Sequence, residues 1–128
     1  MIYLDTSVVL AQIFDEKVAP PAALWREALI SSRLLTYEFW SRVHARRLPP
    51  PQIDEARALL AAVSFVELAA PVLARALEPF PVAVGTLDSM HLATIEYLRG
   101  RGAAIELASY DQRLLAAAET LGIKRATF

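Results

Sequence analysis

Four acidic residues, Asp5, Glu38, Asp88 and Asp111, each fall at or near the start of a predicted helix. Asp5 directly follows the apolar run Ile2-Tyr3-Leu4, which is typical of a short buried strand. In a parallel sheet with right-handed crossovers, the covering helices begin at the carboxyl ends of the strands. Ligands bind at that edge of open α/β sheets, so we expect the four carboxylates to lie close together there.

Such a cluster of carboxylates needs a cation, because like charges brought together repel one another. The chain has no Cys and only two His, so the donors available to a metal are mainly oxygens. Oxygen ligands favour Mg²⁺ or Mn²⁺ over Zn²⁺, and such an ion can polarise a phosphodiester and activate water for its hydrolysis. The hydroxyls of Thr6, Ser7 and Ser109 are candidate donors to the acids, although helix capping is the role we favour for Thr6 and Ser7.

Each acid also has an interpretation that needs no ligand. Asp88 and Asp111 suit the first turn of a helix, where a carboxylate caps free N–H groups and complements the helix dipole. Glu38 has Arg42 four residues further on, which is the spacing of an ion pair on one helix face. Asp5 is harder to explain in this way, because an unpaired carboxylate next to a buried strand is costly. The joint pattern therefore favours a shared site.

The length and composition bound the class of protein. The chain has 128 residues, which is typical of a single domain spanning residues 1–128. Hydrophobic residues make up 55% of it and the mean hydropathy is +0.36, which indicates that a partner covers part of the surface. The net charge of −1 argues against the broad basic surface of a general nucleic-acid binder. With neither a signal peptide nor an apolar run of about 20 residues, we expect a cytoplasmic location and no membrane span.

Predicted strands and helices alternate along the chain, which favours a parallel sheet of about five strands with helices on both faces. The predicted strands span residues 2–4, 34–36, 64–68, 103–107 and 123–128. The predicted helices span residues 6–14, 20–29, 37–47, 53–62, 71–77, 86–100 and 111–121, with a polar break at 15–17.

Four short motifs carry a resemblance to a known family. They are Leu-Asp-Thr-Ser at 4–7, Leu-Thr-Tyr-Glu at 35–38, Leu-Asp-Ser-Met-His-Leu-Ala at 87–93 and Ser-Tyr-Asp-Gln-Arg-Leu at 109–114. In this order they resemble the PIN domain, and more narrowly the toxin ribonucleases of bacterial VapBC toxin–antitoxin modules. The resemblance covers essentially the whole chain, and the Asp-x-x-His-Leu-Ala segment is its most specific part.

The resemblance implies a three-layer α/β/α sandwich and a Mg²⁺- or Mn²⁺-dependent endoribonuclease. Asp5, Glu38, Asp88 and Asp111 match the acidic quartet of the family. Three of them, Asp5, Asp88 and Asp111, would hold metal directly or through water, and Glu38 would bind metal or help to activate water. Ser7 or Ser109 would match the hydroxyl often found beside the quartet.

The resemblance also implies partners: a homodimer, RNA as substrate, and a small antitoxin protein that lays a segment over the toxin. One departure from the family concerns the third acid. Related sequences often carry a basic residue shortly before it, whereas Gly85-Thr86-Leu87 precedes Asp88 here. This departure puts a local contact to phosphate in doubt, and not the metal site.

Further residues have two interpretations each. His91 lies one turn after Asp88 on an apolar stripe, so we expect a core or supporting residue and not a metal ligand. Arg42 and Arg46 share a helix face and could guide RNA phosphates toward the acids, or they form an ordinary solvated face. An apolar groove for an antitoxin helix, or simple core packing, could use a set of aromatic residues: Phe14, Trp25, Phe39 and Trp40.

Two other functions compete with the ribonuclease. A phosphoaspartyl protein, such as a receiver domain or a haloacid-dehalogenase-type phosphatase, also gathers acids at the carboxyl end of a parallel sheet. The phosphatase type usually has a second Asp two residues after the first, where this chain has Ser7, and a receiver needs an Asp after its third strand, where it has Glu67-Leu68-Ala69. A catalytically silent PIN-like binding module is disfavoured only because all four acids are present.

Overall fold

The computed structural model describes residues 1–14 and 17–128, so the part of the predicted polar break at Asp15 and Glu16 lies outside the described residues. A five-stranded sheet forms the centre of the fold, and its adjacent strands are all parallel. The strands are β1 (Ile2–Leu4), β2 (Leu29–Ser32), β3 (Val63–Val66), β4 (Glu106–Ala108) and β5 (Lys124–Arg125). The helices are α1 (Thr6–Ile13), α2 (Leu34–Arg46), α3 (Pro50–Ala61), α4 (Ala70–Ala76), α5 (Thr86–Gly100) and α6 (Gln112–Thr120), and a 3₁₀ segment covers Ala22–Arg26.

The hydrophobic core is divided by the sheet into two parts, because successive side chains of a strand point to opposite faces. Leu4 and Leu29 pack in one part with side chains from α1, α2 and α3. Their strand neighbours Tyr3 and Ile30 pack in the other part with side chains from α5 and α6. The predicted three-layer α/β/α sandwich with a parallel sheet of about five strands is confirmed.

The order of the strands, β3-β2-β1-β4-β5, reverses direction between β1 and β4. Such a reversal leaves a crevice at the carboxyl ends of the two strands, which is where ligands bind in open α/β sheets. The two ends are joined by a hydrogen bond of 2.9 Å from the Asp5 N–H to the Ala108 carbonyl. Asp5 and Ser109, the residues that follow β1 and β4, therefore stand side by side at the crevice.

The strand predicted at residues 34–36 is wrong, because these residues form the first turn of α2. The helical signal there is the buried stripe Leu35, Phe39 and Val43, which repeats every four residues. The strand lies earlier, at Leu29–Ser32, and all four of its residues are buried. Both hydroxyls have partners on neighbouring elements: Ser31 Oγ donates to the Leu4 carbonyl at 2.6 Å, and Ser32 Oγ accepts from the Leu34 N–H at 3.0 Å. The two serines therefore fit in a buried strand.

The helix predicted over residues 20–29 is also wrong, since only the 3₁₀ segment Ala22–Arg26 forms before β2 begins. The last strand is shorter than predicted, with two paired residues in place of six. The fourth strand begins at Glu106, three residues later than predicted, because Gly102 with φ +91° leads out of α5 and Ala103 still bonds back to Leu98.

Within the ranges 1–14 and 17–128, no helix combines the length and the apolar character that crossing a membrane requires.

Candidate active site

Asp5 caps the N-terminus of α1 and is 7% exposed. Its Oδ2 accepts hydrogen bonds from Ser7 Oγ at 2.6 Å, from Ser109 Oγ at 2.8 Å and, at 3.4 Å, from the Ser7 N–H. Among the described residues, Oδ1 accepts none, and no buried side-chain oxygen lacks a partner, so Oδ1 is open to solvent. The capping role expected for Thr6 and Ser7 is wrong: Asp5 is the cap, and both hydroxyls donate to acids.

Glu38 lies in the second turn of α2, one turn later than predicted. Its Oε1 accepts hydrogen bonds from Thr6 Oγ1 at 2.9 Å and from His91 Nε2 at 2.6 Å. Within the described part of the chain, Oε2 has no protein donor and Glu38 forms no ion pair with Arg42. Glu38 is therefore held by one oxygen, like Asp5, and keeps the other free.

Two opposed effects act on the pKa of Glu38. Burial raises the pKa of the carboxyl, whereas the hydrogen bond from His91, the electrostatic interaction with His91 and the hydrogen bond from Thr6 lower it. The favourable contacts outweigh burial, so the pKa of Glu38 lies below its ordinary value of 4.5. Glu38 is therefore ionised at neutral pH and available to a cation.

His91 is 1% exposed and links Glu38 to the core, which agrees with the expected core or supporting position. Its Nδ1 lies 2.7 Å from the Tyr3 hydroxyl, and the backbone N–H of Ser32 donates to the same hydroxyl at 3.2 Å. Burial raises the pKa of Tyr3 far above 10, so the phenol keeps its proton. A continuous chain of hydrogen bonds therefore runs from β2 through Tyr3 and His91 to Glu38.

Asp111 caps the N-terminus of α6, and its Oδ1 accepts from the N–H groups of Arg113 at 2.9 Å and Leu114 at 3.2 Å. No other protein donor in the described ranges reaches Asp111, so Oδ2 is free. Ser109 Oγ in turn accepts from the Asp111 N–H at 2.9 Å while it donates to Asp5. One buried hydroxyl thus fixes the positions of two candidate acids.

Asp88 lies in the first turn of α5, and the charges of the other three acids affect its pKa. Burial raises the pKa of its carboxyl above the ordinary value of 3.8, and the negative charges of Asp111, Asp5 and Glu38 raise it further, against a smaller lowering by His91. Ser109 bonds to both Asp5 and Asp111, and Thr6, which follows Asp5, bonds to Glu38, so these three acids lie at the same edge of the sheet. The structure therefore brings the four acids to one electrostatic cluster.

The oxygen donors of this cluster suit a divalent metal, but the acids stand too far apart to bind one as they are placed. In the described residues, no three acidic or histidine side chains meet at distances that would hold an ion. The donors are nevertheless the oxygens that Mg²⁺ and Mn²⁺ prefer, and Asp5, Glu38 and Asp111 each keep one of them free of protein donors. Holding an ion there requires those free oxygens to come closer together than they stand.

The two basic residues predicted to contact RNA lie one and two turns after Glu38 on α2. Arg42 and Arg46 are exposed, and they follow Glu38 by about 6 and 12 Å along the helix axis. The guanidinium of Arg46 lies 4.5 Å from the ring centre of Phe14. Phe39 is fully buried, so of the four aromatic residues it belongs to the core and to no groove.

Arg113 is a basic residue that the sequence patterns did not single out. Together with Asp88 it lines a cavity of about 580 Å³ between the segment 82–85 and α6. Its guanidinium forms no ion pair with any described residue. The sequence feature that could have pointed to Arg113 is its position two residues after Asp111, in the first turn of a helix that begins at the site. A cavity of about 680 Å³ between α6 and β5 contains none of the four acids.

Comparison with known proteins identifies the family. The model of the PIN domain matches residues 2–120. Ribonuclease VapC47 of Mycobacterium tuberculosis (strain CDC 1551 / Oshkosh) is 30% identical over 134 residues, which cover 99% of this chain and 96% of that protein.

Two solved structures share the fold at lower identity. One is Mycobacterium tuberculosis VapC20, described as a sarcin-ricin loop cleaving toxin, with a TM-score of 0.67, 19% identity and coverage of 91% of this chain and 95% of that chain. The other is a toxin–antitoxin complex from Klebsiella pneumoniae, with a TM-score of 0.65, 15% identity and coverage of 94% of both chains. On the family match and the identity to a ribonuclease over nearly its whole length, this chain belongs to the PIN domain family and is of the VapC type.

Proposed function

We propose that this chain is a single-domain, metal-dependent endoribonuclease and the toxin of a toxin–antitoxin pair. The observation that carries the proposal is the way in which the acids are held. Asp5, Glu38 and Asp111 each bind protein donors through one oxygen and leave the other free, and Asp88 carries a pKa raised by its burial and by all three. Side chains fixed by one oxygen and repelling one another through their charges are suited to share a cation.

In this proposal the acids divide two tasks. Asp5, Asp88 and Asp111 hold Mg²⁺ or Mn²⁺, directly or through water, and Glu38 binds the metal or helps to activate the attacking water. When bound, the ion would polarise the phosphodiester and lower the pKa of water. The hydroxyls of the neighbouring residues orient the acids: Thr6 holds Glu38, while Ser7 and Ser109 hold Asp5.

The RNA chain needs positive charge beside the acids, because its phosphates would otherwise be repelled by them. Arg113 is the cation best placed for this contact, since it shares a cavity with Asp88 and has no ion-pair partner among the described residues. It offers the positive charge that is missing before Asp88 in the sequence. Arg42 and Arg46 remain candidates for RNA that extends along α2.

The proposed partners follow from the relatives. The Klebsiella pneumoniae structure is titled a toxin–antitoxin complex, which supports a small antitoxin protein as partner of this chain. Three half-buried rings near α1 and α2 offer it an apolar surface: Phe14, Trp25 and Trp40. We include in the proposal a homodimer, and a cytoplasmic location, where RNA targets of such an enzyme are found.

The test is cleavage of total RNA by the purified chain. We expect cleavage with Mg²⁺ or Mn²⁺, none with excess chelator, and its return when the metal is added back. Asp5→Asn keeps the size of the side chain and removes its charge, so it should cleave at least 100-fold more slowly, because the loss of an electrostatic group at a reacting centre costs about 10²–10³ in rate.

The matched control is Asp54→Asn, which removes the same charge from the exposed side of α3. It should cleave RNA as the unchanged chain does. Cleavage that persists with chelator, or full activity of Asp5→Asn, would contradict the proposed mechanism. Absence of cleavage under every metal condition would instead favour a silent binding module.

A further inference from the structure

The chain of hydrogen bonds from Ser32 in β2 to Glu38 joins four elements that meet behind the candidate active site. Tyr3 comes from β1, His91 from α5 and Glu38 from α2. Tyr3 and His91 are 0% and 1% exposed, and both contacts of the imidazole ring are short, 2.7 Å to Tyr3 and 2.6 Å to Glu38. This is a built arrangement in the core, and the acid at its end is its only part that reaches the surface.

One order of donors and acceptors satisfies all three contacts of this chain. The Ser32 N–H can only donate, so the Tyr3 oxygen accepts there. The Tyr3 proton then points to His91 Nδ1, and the ring carries its proton on Nε2, where it donates to Glu38. The Ser31 and Thr94 side chains also contact the Tyr3 hydroxyl, and their own hydroxyl protons go to the Leu4 and Met90 carbonyls.

We propose that Tyr3 and His91 are positioning residues for Glu38. Tyr3 selects the tautomer of His91, and the Nε2–H of His91 holds Glu38 Oε1 so that Oε2 stays free of protein donors. The inference rests on the proposed function, because it assigns these two residues a purpose at the proposed metal site. Helix α5 therefore positions two of the acids, because it carries Asp88 and, one turn later, the imidazole that orients Glu38.

Two substitutions of His91 separate positioning from packing. In His91→Gln the side-chain amide N–H can occupy the place of Nε2–H, whereas in His91→Asn the shorter amide falls near Nδ1 and cannot reach Glu38. Both variants replace the ring by an amide, and both lose similar packing in the core. Tyr3→Phe removes only the hydroxyl, and Ile95→Val trims a buried apolar side chain of α5 without removing a hydrogen bond.

The first readout is the affinity of the protein for Mn²⁺ without RNA, measured by electron paramagnetic resonance. Loss of an outer hydrogen bond to a metal ligand weakens binding by about 10- to 100-fold, which we expect for His91→Asn. His91→Gln should recover most of the affinity, Tyr3→Phe should fall between, and Ile95→Val should match the unchanged chain. With RNA, His91→Asn should lower kcat and leave KM unchanged.

The second readout is the tautomer of His91, observed by ¹H–¹⁵N NMR of the ring. The chain has two His, so His44→Gln assigns the signals without ambiguity. We expect the Nε2–H form at neutral pH, with loss of that preference in Tyr3→Phe. If His91→Asn fails to fold, Tyr3→Phe and the tautomer decide the matter.

The outcomes distinguish the inference from the proposed function. If the unchanged chain binds no Mn²⁺ and cleaves no RNA, the proposed function fails, whatever the tautomer shows. If the unchanged chain binds Mn²⁺ but the affinity of His91→Asn is no lower than that of His91→Gln, the positioning role is overturned. A ring protonated on Nδ1 would also overturn it.

Discussion

Ser109 Oγ donates a hydrogen bond of 2.8 Å to Asp5 Oδ2, although 104 positions separate the two residues in the sequence. The contact exists because β1 and β4 are neighbours in the sheet, so the residues that follow them meet at the same edge. The same hydroxyl accepts from the Asp111 N–H, so one side chain serves two of the four acids. The consequences of removing it are therefore specific.

We predict that Ser109→Ala weakens both folding and metal binding. A buried donor or acceptor left without its partner costs about 1–3 kcal/mol, and the Asp111 N–H loses its acceptor in this variant. Mn²⁺ affinity should fall by about 10- to 100-fold. Chemical denaturation and Mn²⁺ titration measure the two effects, with Ser64→Ala on the exposed side of β3 as control. Unchanged Mn²⁺ affinity in Ser109→Ala would contradict the supporting role of this hydroxyl.

Asp88→Asn should stabilise the metal-free protein at neutral pH. The pKa of Asp88 is raised above 3.8 in the folded chain, so its contribution to stability is fully present below 3.8 and is lost as the pH rises through the folded-state pKa. An uncharged Asn keeps that contribution at pH 7. Thermal unfolding at pH 7 and at pH 3 checks this, because the difference in melting temperature between the variant and the unchanged chain should narrow at pH 3. Saturating Mn²⁺ should stabilise the unchanged chain more than the variant. A lower melting temperature of metal-free Asp88→Asn at pH 7 would count against the electrostatic cluster.

The stability contributed by Glu38 changes with pH in the opposite direction to that of Asp88. Its folded-state pKa lies below 4.5 despite burial, so its ionised form contributes stability that is present above 4.5 and is lost as the pH falls through the folded-state pKa. Glu38→Gln should therefore be less stable than the unchanged chain at pH 7, with the difference shrinking in acid. Urea unfolding between pH 3 and pH 7 measures it. A difference that grows in acid would refute the assignment.

Removing the charge of Arg113 should weaken RNA binding more than removing that of Arg42 or Arg46. In Arg113→Gln we expect a higher KM for RNA, unchanged Mn²⁺ affinity, and a slope of affinity against salt reduced by about one phosphate contact. Arg101→Gln is the control, since Arg101 follows the far end of α5, about 20 Å from Asp88 along the axis. Equal effects of Arg113→Gln and Arg101→Gln would remove Arg113 from the RNA path.

The sequence predicts the outline of this fold because strands and helices alternate and the four acids fall near helix starts. It fails at Leu29–Ser32, where two serines suggest a loop, but their hydroxyls bond to Leu4 of β1 and Leu34 of α2 and so fit a buried strand. The contact between His91 and Glu38 could not be read from local patterns, because it joins residues on different elements. Arg113 was missed for the same reason, since its cavity forms only when the segment 82–85 packs near α6.

The central claim is that one divalent ion is shared by acids that follow different strands and helices. Its most direct test is a Mn²⁺ titration of the unchanged chain and of Asp5→Asn, Asp88→Asn and Asp111→Asn, followed by electron paramagnetic resonance without RNA. We predict saturable binding to the unchanged chain and a loss of affinity in each of the three variants, while Asp54→Asn binds normally. Mn²⁺ binding that is absent from the unchanged chain, or equal in all variants, would contradict the claim.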